Sequence, residues 1–250
     1  MSRARGTGDV FAGRLALVTG GSGGIGAALC QRLAMAGARV AIHYRADEAS
    51  ARRVLESVGE VQGEAEVFGA DLASPDAPDR LLDEVEARMG SVDILAANAG
   101  TSSRATYDEA AALWDYTMSV NLRAPYLLAR RVLPHMRKQH FGRVLFTSSV
   151  AAITGGIVGP HYAASKAGLH GLAHHLAARV AADGVTVNVI APALIEDTAM
   201  LPGDPAELAR LVPVGRLGRP EEVADLAMAM LSNAYLTNKV VTLDGGMAPR

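Results

Sequence analysis

The chain has 250 residues, half of them apolar, and its 24 basic and 26 acidic side chains leave a formal net charge of −2. That length can bury a sizeable core as one domain, and the near-balanced charge offers neither a nucleic-acid footprint nor a strongly basic membrane face. No run approaches the roughly eighteen apolar residues of a spanning helix, and the start MSRARGTGDVF lacks the apolar core of a signal peptide, so the expected compartment is the cytoplasm. The single cysteine, Cys30, falls on the apolar side of the first predicted helix and reads as a small buried hydrophobe.

Leu15 to Val18 is a short apolar run that leads into a glycine turn. Ala27 to Ala36 then repeats apolar residues at helical spacing until Gly37, and Val40 and Ile42 begin a second strand. In this βαβ unit the glycines sit at the first turn, where backbone amides and a helix N-terminus can hold a pyrophosphate. Two glycine frames fit. Gly21, Gly23 and Gly26 match the general dinucleotide pattern, although a plain flexible turn would show the same glycines, and Thr19, Gly20, Gly24 and Gly26 match the variant TGxxxGxG. Further apolar strand runs near residues 65, 93, 143, 185 and 240 alternate with helical patterns, without linker or internal repeat. The alternation predicts a single α/β domain over 1–250: a Rossmann-type doubly wound parallel sheet of about seven strands with helices on both faces. Residues 1–12 are expected to be flexible. Ligands in such sheets lie outside the carboxyl ends of the strands, where the strand order reverses. The glycine turn, Asn98 to Gly100, Ser149 and Pro192 all come directly after predicted strands and should converge there.

HYAASKAGLHGLAHHLA reads as a long helix on which Tyr162 and Lys166, at i and i+4, share a face. Ser149 lies thirteen residues before Tyr162, at the end of the apolar strand GRVLFTSS. A phenol titrates near ~10, and bringing it to about 7 requires roughly 4 kcal/mol of preference for the phenolate. One ammonium at about 4.5 Å in an effective dielectric of ~20 supplies roughly 3 to 4 kcal/mol. Lys166 is therefore expected to lower the Tyr162 pKa, with a positively charged oxidised nicotinamide contributing the rest. A Tyr and a Lys also meet at this spacing by chance in unrelated helices, so the glycine turn at the other end of the chain decides.

Taken together, the two segments resemble the classical short-chain dehydrogenase/reductase family over nearly the whole length, and within it the branch of 3-oxoacyl carrier-protein reductases. The motifs that carry the resemblance are TGGSGGIG at 19–26, Asp71-Leu72, Asn98-Ala99-Gly100, Asn121, Ser149, YAASK at 162–166, Val187-Asn188-Val189 with Pro192, and Asp244-Gly245-Gly246. The resemblance implies hydride transfer from NADPH to a ketone carbon, with Tyr162 protonating the developing alkoxide as general acid. Ser149 would donate a hydrogen bond to that oxygen, Lys166 would also hold the nicotinamide ribose, and Asn121 would anchor a water linking the lysine to solvent. Implied cofactor contacts are Gly20, Ser22, Gly24, Ile25, Gly26, Arg45, Asp71, Leu72, Asn98, Ala99, Gly100, Tyr162, Lys166, Pro192 and Ile195. Family analogy also implies a homotetramer built through helices around 105–137 and 161–182 and the C-terminal strand.

NAD enzymes of the family usually place an acid at the end of the second strand, where HYR puts Tyr44 and then Arg45. An arginine suits a 2′-phosphate through charge-assisted, potentially bidentate hydrogen bonds. The family's second phosphate-favouring signal is missing, because Gly23 stands where a basic residue would precede the motif glycine. Asp47 and Glu48 read as the cap and first turn of the next helix. NADP is the expected cofactor, ahead of NAD.

Ser148 competes with Ser149; the thirteen-residue interval favours Ser149 and leaves Ser148 and Thr147 as strand-end hydrogen bonders. His170 and His174 have the spacing of a helical zinc pair, but no third ligand is evident, so no metal is expected and the pair reads as solvated or interface-facing. His161 is expected either to line the substrate pocket or to face water, and Trp114 and Tyr116 read as packing or subunit-contact residues.

The family resemblance puts the substrate pocket in 101–106, 151–161 and 193–212. The last segment departs from the family pattern: Ala193 replaces a common glycine, the threonine expected near the carboxamide is displaced to Thr198, and the segment is short. His140 and Asp183 stand where carrier-protein reductases tend to have arginines, and an aspartate there repels an acidic carrier. The expected substrate is a small carbonyl compound, first an acyl thioester, with a sugar, cyclic or steroid-like carbonyl or alcohol as the alternative. A dinucleotide-sensing binding protein without turnover is the remote reading, since Tyr162 and Lys166 are both present.

Overall fold

A computed structural model of the protein describes residues 10–60, 64–198, 200–201 and 203–248. In chain order it runs β1 (Leu15–Thr19), α1 (Gly24–Met35), β2 (Arg39–Tyr44), α2 (Glu48–Glu60), β3 (Ala65–Gly69), α3 (Ala77–Met89), β4 (Ile94–Ala97) and α4 (Ala110–Met118). It continues through α5 (Ala124–Lys138), β5 (Gly142–Thr147), α6 (Ala151–Thr154), α7 (Pro160–Val180), β6 (Val185–Pro192), α8 (Pro205–Ala209), α9 (Pro220–Ser232) and β7 (Val240–Leu243).

The seven strands form one sheet in the order β3-β2-β1-β4-β5-β6-β7, with every neighbouring pair parallel. The chain works outward from β1 to β3 and then returns to lay β4 beside β1, so the order reverses between β1 and β4. Strand side chains alternate between two apolar layers. Leu15 and Leu17 join a core with α3, α5 and α7, whereas Ala16 and Val18 join the opposite core with α1, α2 and α9. Burial on both faces is why these strands read as unbroken apolar runs. Among the described residues no helix is long and apolar enough to cross a membrane.

Local signals set the element ends. Gly37, at φ +83°, stops α1 by taking the left-handed conformation that only glycine adopts freely, and its N–H bonds the Ala34 carbonyl. Asp47 caps α2, its Oδ1 accepting from the Ser50 N–H at 2.8 Å. Of the segment expected to be flexible, residues 1–9 lie outside the described residues. Residues 10–12 are held: Phe11 is 2 % exposed and its N–H bonds Ala36 O at 2.8 Å, sealing the end of α1.

The expected helical stretch around 105–137 is two helices joined by a π-helical turn at Ser119–Arg123. A π turn inserts an extra residue and rotates the next helix relative to the one before it, a device often found at functional sites. Here it leaves Asn121 fully buried.

Candidate active site

A cavity of about 720 Å³ opens along the carboxyl edge of the sheet, within the roughly 300–1,000 Å³ of small-molecule sites. Of the positions singled out in the sequence, Gly20, Ser22, Gly24, Ile25, Arg45, Asp71, Leu72, Asn98, Ala99, Gly100, Ser149, Tyr162, Lys166, Pro192 and Ile195 line it. Gly26 and Asn121 do not; both stand behind the wall and shape it.

The glycine turn shows which frame the backbone uses. Gly20 and Gly24 have φ of +64° and +51°, a region other residues enter at a cost. A Cβ on Gly26 would lie 2.1 Å from the Gly20 carbonyl oxygen, so α1 can approach β1 only with glycine there. Gly23 is extended, and a Cβ on it would meet nothing within 4 Å. Thr19, Gly20, Gly24 and Gly26 are therefore the working frame. Thr19 is buried, and its hydroxyl accepts the N–H groups of Asn98 and Ala99 at 3.0 Å each, which ties the turn to the end of β4 across the reversal point. The Asn98 amide donates back to the Thr19 and Gly20 carbonyls. The N-terminus of α1 has no side-chain cap, so its free N–H groups remain available to an anion.

Tyr162, Lys166 and Ser149 meet in the same cavity. The Lys166 Nζ stands 5.8 Å from the Tyr162 ring centroid and donates to the Thr147 carbonyl at 2.8 Å. The phenol does not behave as expected. Burial at 7 % exposure raises its pKa above the usual tyrosine value, and a hydrogen bond from Ser149 only partly offsets this. Burial also lowers the Lys166 ammonium to about 8. In each group burial disfavours the charged form, the phenolate of Tyr162 and the ammonium of Lys166 alike.

Asn121 holds the wall together. Its Oδ1 accepts from Thr101 N–H at 2.8 Å, and its amide donates to Thr101 O and Ser165 Oγ, each at 3.0 Å. Ser165 in turn donates to the Tyr162 carbonyl at 2.8 Å. The Asn121 side chain thus clips the loop after β4 onto α7.

A family model described as short chain dehydrogenase matches residues 14–208. The chain belongs to the short-chain dehydrogenases. It is 35 % identical over 247 residues to the 3-oxoacyl-[acyl-carrier-protein] reductase FabG of Escherichia coli K12, with 95 % of this chain and 98 % of that protein covered. It is 34 % identical over 242 residues to an acetoacetyl-CoA reductase of Allochromatium vinosum, covering 94 % and 98 %. Among solved structures, the angucycline C-6 ketoreductase LanV with bound NADP superposes with a TM-score of 0.87 at 29 % identity, covering 96 % of this chain and 97 % of LanV.

The structure of this short-chain dehydrogenase adds residues that the sequence did not disclose. His43 is 2 % exposed; its Nδ1 accepts the Gly20 N–H at 3.1 Å and its Nε2 faces Ala70 O at 3.0 Å. One ring thus bridges the glycine turn and the end of β3, in the tautomer with the proton on Nε2. Burial lowers its pKa from 6.5 to about 4. Between these values the unfolded chain binds a proton that the native ring refuses. Stability should be full above pH 6.5 and fall as the pH drops toward 4, by about 3 kcal/mol from this group alone. Denaturant titrations from pH 7 to 4 test this: His43→Asn should show a shallower acid loss than the native chain, and an equal slope would refute it.

Other expectations change. His161 neither lines the cavity nor faces water: it is fully buried with Nε2 on Ser103 O at 3.0 Å, holding the 101–106 loop from behind. Segment 151–161 contributes nothing to the cavity wall; Ala151 and Val158 pack with Tyr162 and support it. Thr198 reaches the cavity, but its hydroxyl donates to Ile195 O at 2.9 Å. Ser148, just past the end of β5, bonds α7: its hydroxyl donates to Lys166 O and meets His170 Nε2, each at 2.9 Å. No group of three or more metal-binding side chains occurs among the described residues. Tyr116, expected in a packing or subunit-contact role, also lines the cavity.

Proposed function

We propose that the protein reduces a ketone to a secondary alcohol with NADPH, and that a 3-oxoacyl thioester is the preferred class of substrate. The observation that carries this reading is the meeting of Tyr162, Ser149 and Lys166 with the glycine turn in one cavity at the carboxyl edge of the sheet. Burial favours the neutral phenol of Tyr162, the form that can act as general acid in reduction. Tyr162 protonates the forming alkoxide, and Ser149 offers a hydrogen bond where the negative charge develops. Lys166, whose Nζ donates to Thr147 O and stands 5.8 Å from the Tyr162 ring centroid, supplies a positive charge to the same part of the cavity.

The cavity residues fit the cofactor. The uncapped N-terminus of α1 suits the pyrophosphate and Arg45 suits a 2′-phosphate. Asp47 is committed to capping α2, with one oxygen accepting from Ser50 N–H and the other from Ser50 Oγ, which leaves it less available to a ribose. When bound, NADPH supplies the hydride; the chain binds, orients and protonates.

Leu194, Met200 and Leu201 give the substrate end an apolar wall. Asp183, expected to repel an acidic carrier, is paired with Arg137 at 2.6 Å, which offsets part of that repulsion. A cyclic ketone is the second reading, favoured by the likeness to an angucycline ketoreductase. Nucleotide oxidation monitored with acetoacetyl-CoA and with a panel of cyclic and sugar ketones tests the choice. The thioester should have the highest kcat/KM; no thioester turnover alongside rapid reduction of a cyclic ketone would replace the first reading with the second.

A further inference from the structure

We infer that Tyr116 on α4 completes the subsite for the adenosine 2′-phosphate, by holding the Arg45 guanidinium in place and offering its own hydroxyl proton to the same phosphate. The inference rests on the NADP reading above.

Arg45 Nη1 donates to the Tyr116 hydroxyl oxygen at 2.8 Å, and both residues line the cavity although 71 positions separate them. Among the described residues Arg45 forms no ion pair, whereas most arginines of this surface are matched with carboxylates. The nearest carboxylate along the chain, Asp47, is engaged by Ser50. The guanidinium therefore keeps its charge and its remaining donors for a ligand.

A phenol that accepts from an arginine still has its own proton to donate. The pair presents mostly donors: guanidinium N–H groups on one side and a hydroxyl on the other. A phosphate dianion, which has only acceptors, matches that array; a ribose hydroxyl gains much less from it. The link also restrains a long side chain before the ligand arrives, so less rotamer freedom is lost on binding. Tyr116 is 37 % exposed and its hydroxyl contacts Arg45, so Tyr116→Phe removes the oxygen and leaves the ring packing unchanged.

Isothermal titration calorimetry with adenosine 2′,5′-bisphosphate and with 5′-AMP isolates the 2′-phosphate without any turnover. The native chain should prefer the bisphosphate, Arg45→Ala should abolish the preference, and Tyr116→Phe should weaken bisphosphate binding about tenfold while leaving 5′-AMP unchanged. If the native chain binds both nucleotides equally, the NADP reading fails and this inference with it. If the native preference is present but persists undiminished in Tyr116→Phe, or if that variant weakens both nucleotides alike, the role of Tyr116 is overturned while the NADP reading stands.

Discussion

Lys166→Met is expected to lose turnover by a factor of about 10³ and yet to melt at a higher temperature than the native protein. Lys166 is 2 % exposed and its pKa is lowered from 10.5 to about 8 by burial. At neutral pH the native state therefore carries a charge that it disfavours by about 3 kcal/mol relative to the unfolded chain. The sign comes from proton binding: between pH 8 and 10.5 the unfolded lysine is protonated and the native one is not, so native stability should rise across that interval. Methionine has similar length and no charge. It gives up the bond to Thr147 O, worth about 1 to 2 kcal/mol, so the net gain is about 1 to 2 kcal/mol, or a few degrees in Tm. Scanning calorimetry at pH 7 reads the stability half; a lower Tm in Lys166→Met would contradict it. Steady-state assays read the catalytic half, with Tyr162→Phe beside it as the variant that lacks the proton donor altogether. Substantial turnover in Tyr162→Phe would remove that residue from the acid role.

Gly26→Ala should be among the most damaging single-methyl additions in the chain. Its Cβ would lie 2.1 Å from Gly20 O, 2.8 Å from Gly20 C and 2.9 Å from Asn98 Nδ2. The first two are backbone atoms at the end of β1, so relief requires α1 to shift away from the sheet and the turn to open. A loss of about 3 kcal/mol or more in unfolding free energy is expected, together with loss of nucleotide binding. Gly23→Ala is the matched comparison for stability: three residues away, extended, with open space around its Cβ position, it should unfold within about 0.5 kcal/mol of the native chain. Similar unfolding midpoints for the two variants would mean that the turn does not depend on the Gly20, Gly24, Gly26 frame.

The strand positions are legible in the sequence because a parallel strand buried on both faces must be an unbroken apolar run, as LALVT and GRVLFT are. Tyr162 and Lys166 are legible as neighbours because α7 places i and i+4 on one face. The choice between glycine frames is not, since Gly26 belongs to both, and only the positive φ of Gly20 and Gly24, set against an extended Gly23 with open space around it, separates them. His43 and Tyr116 escape sequence reading because their partners lie 23 and 71 positions away and neither residue belongs to a motif.

The alternation of strand and helix, the parallel sheet it dictates, and the edge at which glycines, serine, tyrosine and lysine gather are all written in the order of residues. They are consequences of local periodicity and of the order of elements along the chain. How wet that edge is emerges only once the chain is folded. The sign of the Tyr162 shift, the weakened Lys166 ammonium and the neutral His43 depend on burial, which is set by residues distant in the chain that close around each group.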